Sequence, residues 1–198
     1  MSTETPRRRP GRPPQIDADG ITAAAVAVID AEGLEALTMR RIGTELGVTA
    51  MSLYRHLPNR DAVLAAVVNR LVGEVEVEVA DGASWPQALE AFARDYRRML
   101  LAHPNAVPLL ASHPVDEAAG RAVVAPVLER FRTGGVADAE AVTAVQSVGV
   151  YVLGHALAQV GTPPGAVRAP QPAETAYYDR WFDSGLDAFV LGLRQQLD

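Results

Sequence analysis

Leu46-Gly47-Val48 separates two apolar-periodic segments, each too short to hold a helix alone. Helices below about 12–15 residues are marginal in isolation, so these two persist only by packing on each other and on a longer neighbour. Thr38 opens the first, with Ile42 and Leu46 inward, and Thr49 caps the second, which runs to about His56. The longer neighbour precedes them. It starts near Asp17, whose carboxylate can cap the first turn, and it stops at Gly33. Ile21, Ala25, Val28 and Ile29 fall on its one apolar face. Gly47 supplies backbone freedom where a side chain would obstruct a tight crossing. Three helices arranged in this way have the layout of a helix-turn-helix, although an ordinary helical hairpin carries the same turn.

The remaining punctuation is also helical. Leu57-Pro58-Asn59 breaks the third helix, and Asn59 caps a fourth carrying Val63, Leu64, Val67 and Leu71. Val75-Glu76-Val77-Glu78-Val79 alternates like a strand, but no other segment offers it a partner, so it is read as the frayed end of the fourth helix. Ser84-Trp85-Pro86-Gln87 is a capping box with proline in the first turn. The helix it opens buries Leu89, Phe92, Tyr96 and Met99 before Pro104. Further helices are predicted over 106–111, 116–133, 138–160 and 176–196, divided by Pro114, Gly134-Gly135 and a loop from Gly161 to Pro172. The fold class is all-α. The absence of cysteine excludes disulfides, thiolate metal sites and cysteine nucleophiles. No apolar run is read as long enough for a membrane span, and no apolar stretch follows the basic N-terminus, so the expectation is a cytoplasmic protein with no membrane partner.

Charge is unevenly distributed. Residues 1–60 hold eight arginines against seven acids, whereas residues 61–198 hold ten against seventeen, and every basic residue is arginine. A near-neutral head with clustered arginines on an acidic body fits a protein that touches DNA at one end only. The first fourteen residues, centred on Arg7-Arg8-Arg9-Pro10-Gly11-Arg12-Pro13-Pro14, have nothing to bury and read as a flexible basic arm. An extended Gly-Arg-Pro segment can enter a narrow minor groove, and a solvated tail attracted to phosphates is the equal alternative.

Several of these residues together carry a resemblance. Ala24-Ala25, Gly33, Leu37-Thr38-Met39-Arg40, Ile42, Leu46-Gly47-Val48, Leu53-Tyr54, His56 and Asn59-Arg60-Asp61 closely resemble the DNA-binding domain of the TetR (tetracycline repressor) family of bacterial regulators. Ser84-Trp85, the Leu100–Pro114 stretch, Val148-Gly149 with Leu153-Gly154, and the closing Phe182–Leu197 are similar to the body of the tetracycline-repressor branch. The resemblance implies an arm over 1–16, a three-helix helix-turn-helix DNA-binding domain over 17–62, and a larger helical ligand-binding and dimerisation domain over 63–198. It implies a ligand-responsive transcriptional regulator, a repressor before an activator, that binds a pseudo-palindromic operator as a homodimer. A small, largely apolar effector would release it. No enzymatic activity and no cofactor are expected.

Carried over position by position, the base-reading residues would be Arg40, Ala50, Met51 and Ser52. Arginine can donate two hydrogen bonds to guanine, and apolar side chains can meet a thymine methyl. Phosphate contacts would fall to Thr38, Thr49, Tyr54, His56 and Arg60, while Arg9 and Arg12 of the arm would meet the DNA in the minor groove or only by attraction to its phosphates. An effector would meet Phe92, Tyr96, Met99, Leu109, Ser112, Gln146 and Tyr151, any of which could equally be plain helix core. Tetracycline repressors grip a magnesium–drug chelate with histidines, an asparagine and a glutamate. The matching places here hold Phe92, Leu109 and Ala158, which removes the oxygen and nitrogen ligands, so no metal is expected and a less polar effector is. Small residues in 138–160 and apolar ones in 176–196 would build a four-helix dimer bundle through Gly149, Gly154, Leu186, Phe189 and Leu193, or else merely close the core of one protomer.

Overall fold

The structure, a computed structural model, describes residues 16–161 and 172–197; Arg9 and Arg12 therefore lie outside the described residues. Nine helices and no strand occur among the described residues. They are α1 (Ala18–Glu32), α2 (Met39–Leu46), α3 (Ala50–Leu53), α4 (Arg60–Gly73), α5 (Trp85–Ala102), α6 (Val107–Ser112), α7 (Glu117–Thr133), α8 (Asp138–Val160) and α9 (Pro172–Leu197). Single 3-10 turns cover Leu34–Ala36 and Pro104–Ala106.

Most helix starts follow local capping chemistry. Asp17 Oδ1 accepts from the Gly20 N–H at 2.8 Å, Thr38 Oγ from Arg41 N–H at 3.0 Å, and Asn59 Oδ1 from Ala62 N–H at 2.8 Å. Ser84 N–H donates to Gln87 Oε1 at 2.9 Å in the capping box of α5. Removing such a cap typically costs about 1 kcal/mol. Thr49 departs from this pattern. Its hydroxyl lies 3.1 Å from Ser52 Oγ and caps no backbone N–H, and α3 is a single turn that ends at Leu53 rather than near His56.

Two further expectations are corrected. Residues 75–79 are not the end of α4, which stops at Gly73; they form an extended connection. Val75 is buried and Val77 and Val79 pack partly buried against the core, while Glu76 and Glu78 face solvent. The alternation therefore comes from one-sided burial and not from strand pairing. Secondly, α8 carries no charge from Ala141 to Val160 and is long and apolar enough, by length and composition, to cross a membrane. In this fold its apolar residues Val145, Val148 and Val152 are buried, and it packs against α5, α6, α7 and α9.

Helices α1, α2 and α4 pack together around Ile21, Ile29, Ile42, Leu53 and Val63. The same apolar core continues through Leu71 on α4 to Leu89, Leu100, Val148 and Phe182. Helix α4 is thus the shared member: it packs against α1 as well as against α5, α6 and α7. The crossing of α2 and α3 depends on Gly43. A Cβ there would sit 2.8 Å from the Val48 carbonyl oxygen and 3.3 Å from Ala50 N. Gly47, with φ +67°, supplies the left-handed turn between the two helices.

Candidate nucleic-acid interface and effector cavity

Helix α3 buries only Leu53, which leaves Met51 72% exposed and Ala50 and Ser52 half-buried at the surface. Tyr54, at the helix end, is exposed, and so are Arg55 and His56. Helix α2 packs against α3 and presents Arg40 to solvent in its own first turn. The expected reading residues therefore share one exposed end of the molecule.

The arginines here divide sharply by role. Arg41 bonds Glu32 Oε1 through Nε at 2.8 Å and through a terminal nitrogen at 2.6 Å, and it reaches Glu45 at 2.8 Å. These contacts hold the Glu32 carboxyl below its usual range and raise the Arg41 guanidinium. Arg60, expected at a phosphate, donates through Nε to the Leu37 carbonyl at 2.8 Å and toward the Leu34 carbonyl at 3.3 Å. It pins the start of α4 to the turn before α2. The Arg40 and Arg55 side chains have no hydrogen bond or ion pair among the described residues, and they are the described cations left free here.

A cavity of about 830 Å³ opens at the other end of α4. Val72 and Val75 form one wall, and Phe92 and Tyr96 of α5 form a second, with rings parallel within 8° and centroids 5.8 Å apart. Val123, Val124 and Leu128 of α7 close the third, and α8 contributes Val145, Gln146, Gly149, Val150 and Leu153. Burial pushes the Tyr96 phenol up to about 12.

Of the residues expected around an effector, Phe92, Tyr96 and Gln146 line this cavity, and Met99, Leu109, Ser112 and Tyr151 do not. Leu109 is wholly buried, and Met99 is core. The Ser112 hydroxyl donates back to the Pro108 carbonyl at 2.8 Å. Tyr151 turns toward α9, where its hydroxyl donates to the Phe182 carbonyl at 2.8 Å and occupies the space that a side chain at Gly185 would need. The valines of α7 were missed because their apolar spacing has no feature that separates a cavity wall from core.

The residues expected at a dimer interface also separate. Gly149 lines the cavity instead, and Leu186 is fully buried within the protomer. Phe189 and Leu193, together with Ala144, Ser147 and Gly192, line an open groove of about 690 Å³ between α8 and α9. Gly154 is exposed and has no atom within 4 Å of where its Cβ would be. Nearby, His155 is buried beside Trp181, Phe182 and Tyr178, with ring centroids 4.8, 5.3 and 5.9 Å away. Neither of its nitrogens has a hydrogen-bond partner among the described residues, and burial, then the Arg97 charge, hold it below its ordinary value.

Residues 21–67 match the family model described as bacterial regulatory proteins, tetR family. Residues 79–169 match the one described as tetracyclin repressor-like, C-terminal domain. The HTH-type transcriptional repressor DrrR1 of Streptomyces coeruleorubidus is 36% identical over 157 residues, covering 77% of this chain and 58% of that protein. An HTH-type transcriptional regulator of Saccharopolyspora erythraea is 32% identical over 154 residues, covering 78% of this chain and 65% of that protein. The matched region thus spans less than two thirds of either relative. Among solved structures, the TetR family protein ActR of Streptomyces coelicolor, in complex with actinorhodin, superposes with a TM-score of 0.79 at 27% identity, covering 93% of this chain and 98% of that one.

Proposed function

The chain belongs to the tetR family of bacterial regulatory proteins, and from that premise we propose that it is a ligand-responsive transcriptional repressor. In this reading it binds a pseudo-palindromic operator as a homodimer, and a small, largely apolar effector releases it. Residues 17–62 act as the reading head and 63–198 as the ligand-binding and dimerisation body. Arg40, Ala50, Met51 and Ser52 face the bases. Thr38, Thr49, Tyr54, His56 and, in place of Arg60, Arg55 meet phosphates.

The observation that carries this reading is the course of α4. Its first residue, Arg60, is bonded to the turn that leads into α2, and Val72 near its end lines the cavity. A ligand in the cavity therefore acts on the same rigid helix that supports the head. ActR is a relative solved with a small molecule bound, and the cavity here has the size usual for such ligands. The effector must favour the arrangement that cannot bind DNA, because equal affinity for both states shifts nothing. Two copies joined across the α8–α9 groove would supply the two-fold symmetry that a pseudo-palindrome mirrors.

Selection of duplex DNA from a random pool with the purified protein tests the reading. Enrichment of an inverted repeat, bound more weakly as salt rises, is expected. Recovery of no common sequence, with binding indifferent to salt, would sink it. Expression from a promoter carrying the recovered site distinguishes repression, where deleting the protein raises output, from activation.

A further inference from the structure

We propose that the cavity selects an uncharged, mainly apolar ligand carrying a carbonyl-type acceptor oxygen, and that the Tyr96 hydroxyl is the group that recognises that oxygen. The inference rests on reading the cavity as the effector site.

The first part follows from charge. Three charged side chains border the cavity, and each is already engaged. Asp116 Oδ1 accepts from the Ala118 and Ala119 N–H groups at 3.0 and 3.1 Å as the cap of α7. Glu117 and Arg121 pair with one another at 3.1 Å. Both members of that pair are exposed and place no countercharge among the valines, so an ion seated against that wall would lose its hydration without compensation.

The second part follows from the uncharged polar groups. Tyr96 and Gln146 both line the cavity, and neither side chain makes a hydrogen bond among the described residues. Gln146 is exposed to solvent, whereas Tyr96 is half-buried between apolar walls. Its hydroxyl faces the open space of the cavity, where a ligand acceptor can take the place of water as its hydrogen-bond partner. A phenol keeps its proton at neutral pH, and burial pushes this one further up, to about 12, so it can serve as a donor. The parallel Phe92 ring 5.8 Å away restrains its orientation. A donor fixed in an apolar cavity of about 830 Å³ discriminates in favour of a ligand with an acceptor oxygen.

Fluorenone and fluorene are tricyclic molecules of nearly the same shape that differ by one carbonyl oxygen. Titration of the full-length protein by calorimetry should show fluorenone binding on the order of tenfold more tightly than fluorene. Tyr96→Phe should abolish that preference, bringing the two probes to equal affinity. A fluorenone carrying a carboxylate should bind the wild type on the order of tenfold more weakly than fluorenone itself. Gly149→Leu, whose Cβ has no atom within 4 Å, should fill the cavity and abolish binding of both probes. Val150→Trp, from a position 72% exposed, blocks the same space should the leucine disturb the fold. Equal affinity for the two probes, or a preference that survives Tyr96→Phe, would overturn the recognition role while the effector reading stands. Tight binding of the carboxylate would overturn the uncharged class. Absence of binding by either probe, or binding that persists in both filled variants, would overturn the effector reading and this inference together.

Discussion

His103 Nε2 lies 3.2 Å from the Glu74 carboxylate, and Glu74 sits between Val72 and Val75, two residues of the cavity wall. The other imidazole nitrogen lies 2.9 Å from Asp30 Oδ2 in the last turn of α1, and Asn105 Nδ2 donates to the Asp30 carbonyl at 2.9 Å. One side chain at the end of α5 therefore ties α1 to the end of α4. Displacement of the valines by a ligand would reach α1 through this ring.

His103→Ala should accordingly loosen the last turn of α1 and leave α7 and α8 unchanged. Hydrogen exchange read by mass spectrometry should show amides at 29–33 exchanging roughly tenfold faster. Protection equal to wild type in that segment would mean that the ring ties nothing down.

The free and engaged arginines give opposite outcomes. Arg40→Ala should cost on the order of 1–3 kcal/mol in binding to the selected DNA site and relax preference at one base pair per half-site. Arg55→Ala should weaken all sequences alike and flatten the salt dependence. Arg60→Ala should lower the thermal midpoint, because the Leu37 carbonyl loses its donor. A flattened salt dependence for Arg60→Ala with an unchanged midpoint would restore that residue to the phosphate set.

Gly43→Ala should destabilise the protein by about 1–3 kcal/mol despite alanine's better helix propensity, since its Cβ would meet the Val48 carbonyl at 2.8 Å. Chemical denaturation measures it. A neutral or stabilising effect would show that the α2–α3 crossing relaxes freely.

Leu193 and Leu186 belong to one helix but to different environments. Leu193→Glu, on the open groove, should yield folded monomers in sedimentation with melting little altered. Leu186→Glu, at a fully buried position, should cost about 3 kcal/mol or more and disturb the fold itself. A Leu193→Glu protein that still sediments as a dimer would remove the groove from the interface.

His155 predicts a pH dependence. Its folded-state value is held below the ordinary 6.5, chiefly by burial, so below that pH the unfolded chain takes up a proton more readily than the folded one. Its contribution to stability is present above pH 6.5 and is lost as the pH falls from there through the lowered folded value. His155→Phe should make denaturation midpoints less sensitive to pH in that window. An unchanged slope would assign the acid sensitivity elsewhere.

What was legible in the sequence was whatever local chemistry settles. Asp17, Thr38, Asn59 and the Ser84–Gln87 box cap the helices they announce, because donor and acceptor lie within three residues of one another. Contacts distant in sequence were not legible. Nothing near Arg60 reveals a bond to a carbonyl 23 residues earlier, and nothing near Gly43 reveals how closely Val48 approaches. The periodicity of α8 marked Gly149, Gly154 and Val145 as facing something, but not whether that was a cavity, a partner or the protomer's own core. Phe92, Tyr96 and Gln146 were placed at the cavity through the family resemblance, and helical spacing alone would have left all three in the core.

Helix α3 buries only Leu53, with Ala50 packed half-buried beside it, and the glycine that permits its close approach belongs to α2. Substitutions at Met51, which is 72% exposed, therefore disturb little of the packing that keeps the chain folded. Stability and specificity are held in separate residues, so this surface can drift toward a new target over generations while the scaffold, the cavity and the helix between them stay unaltered.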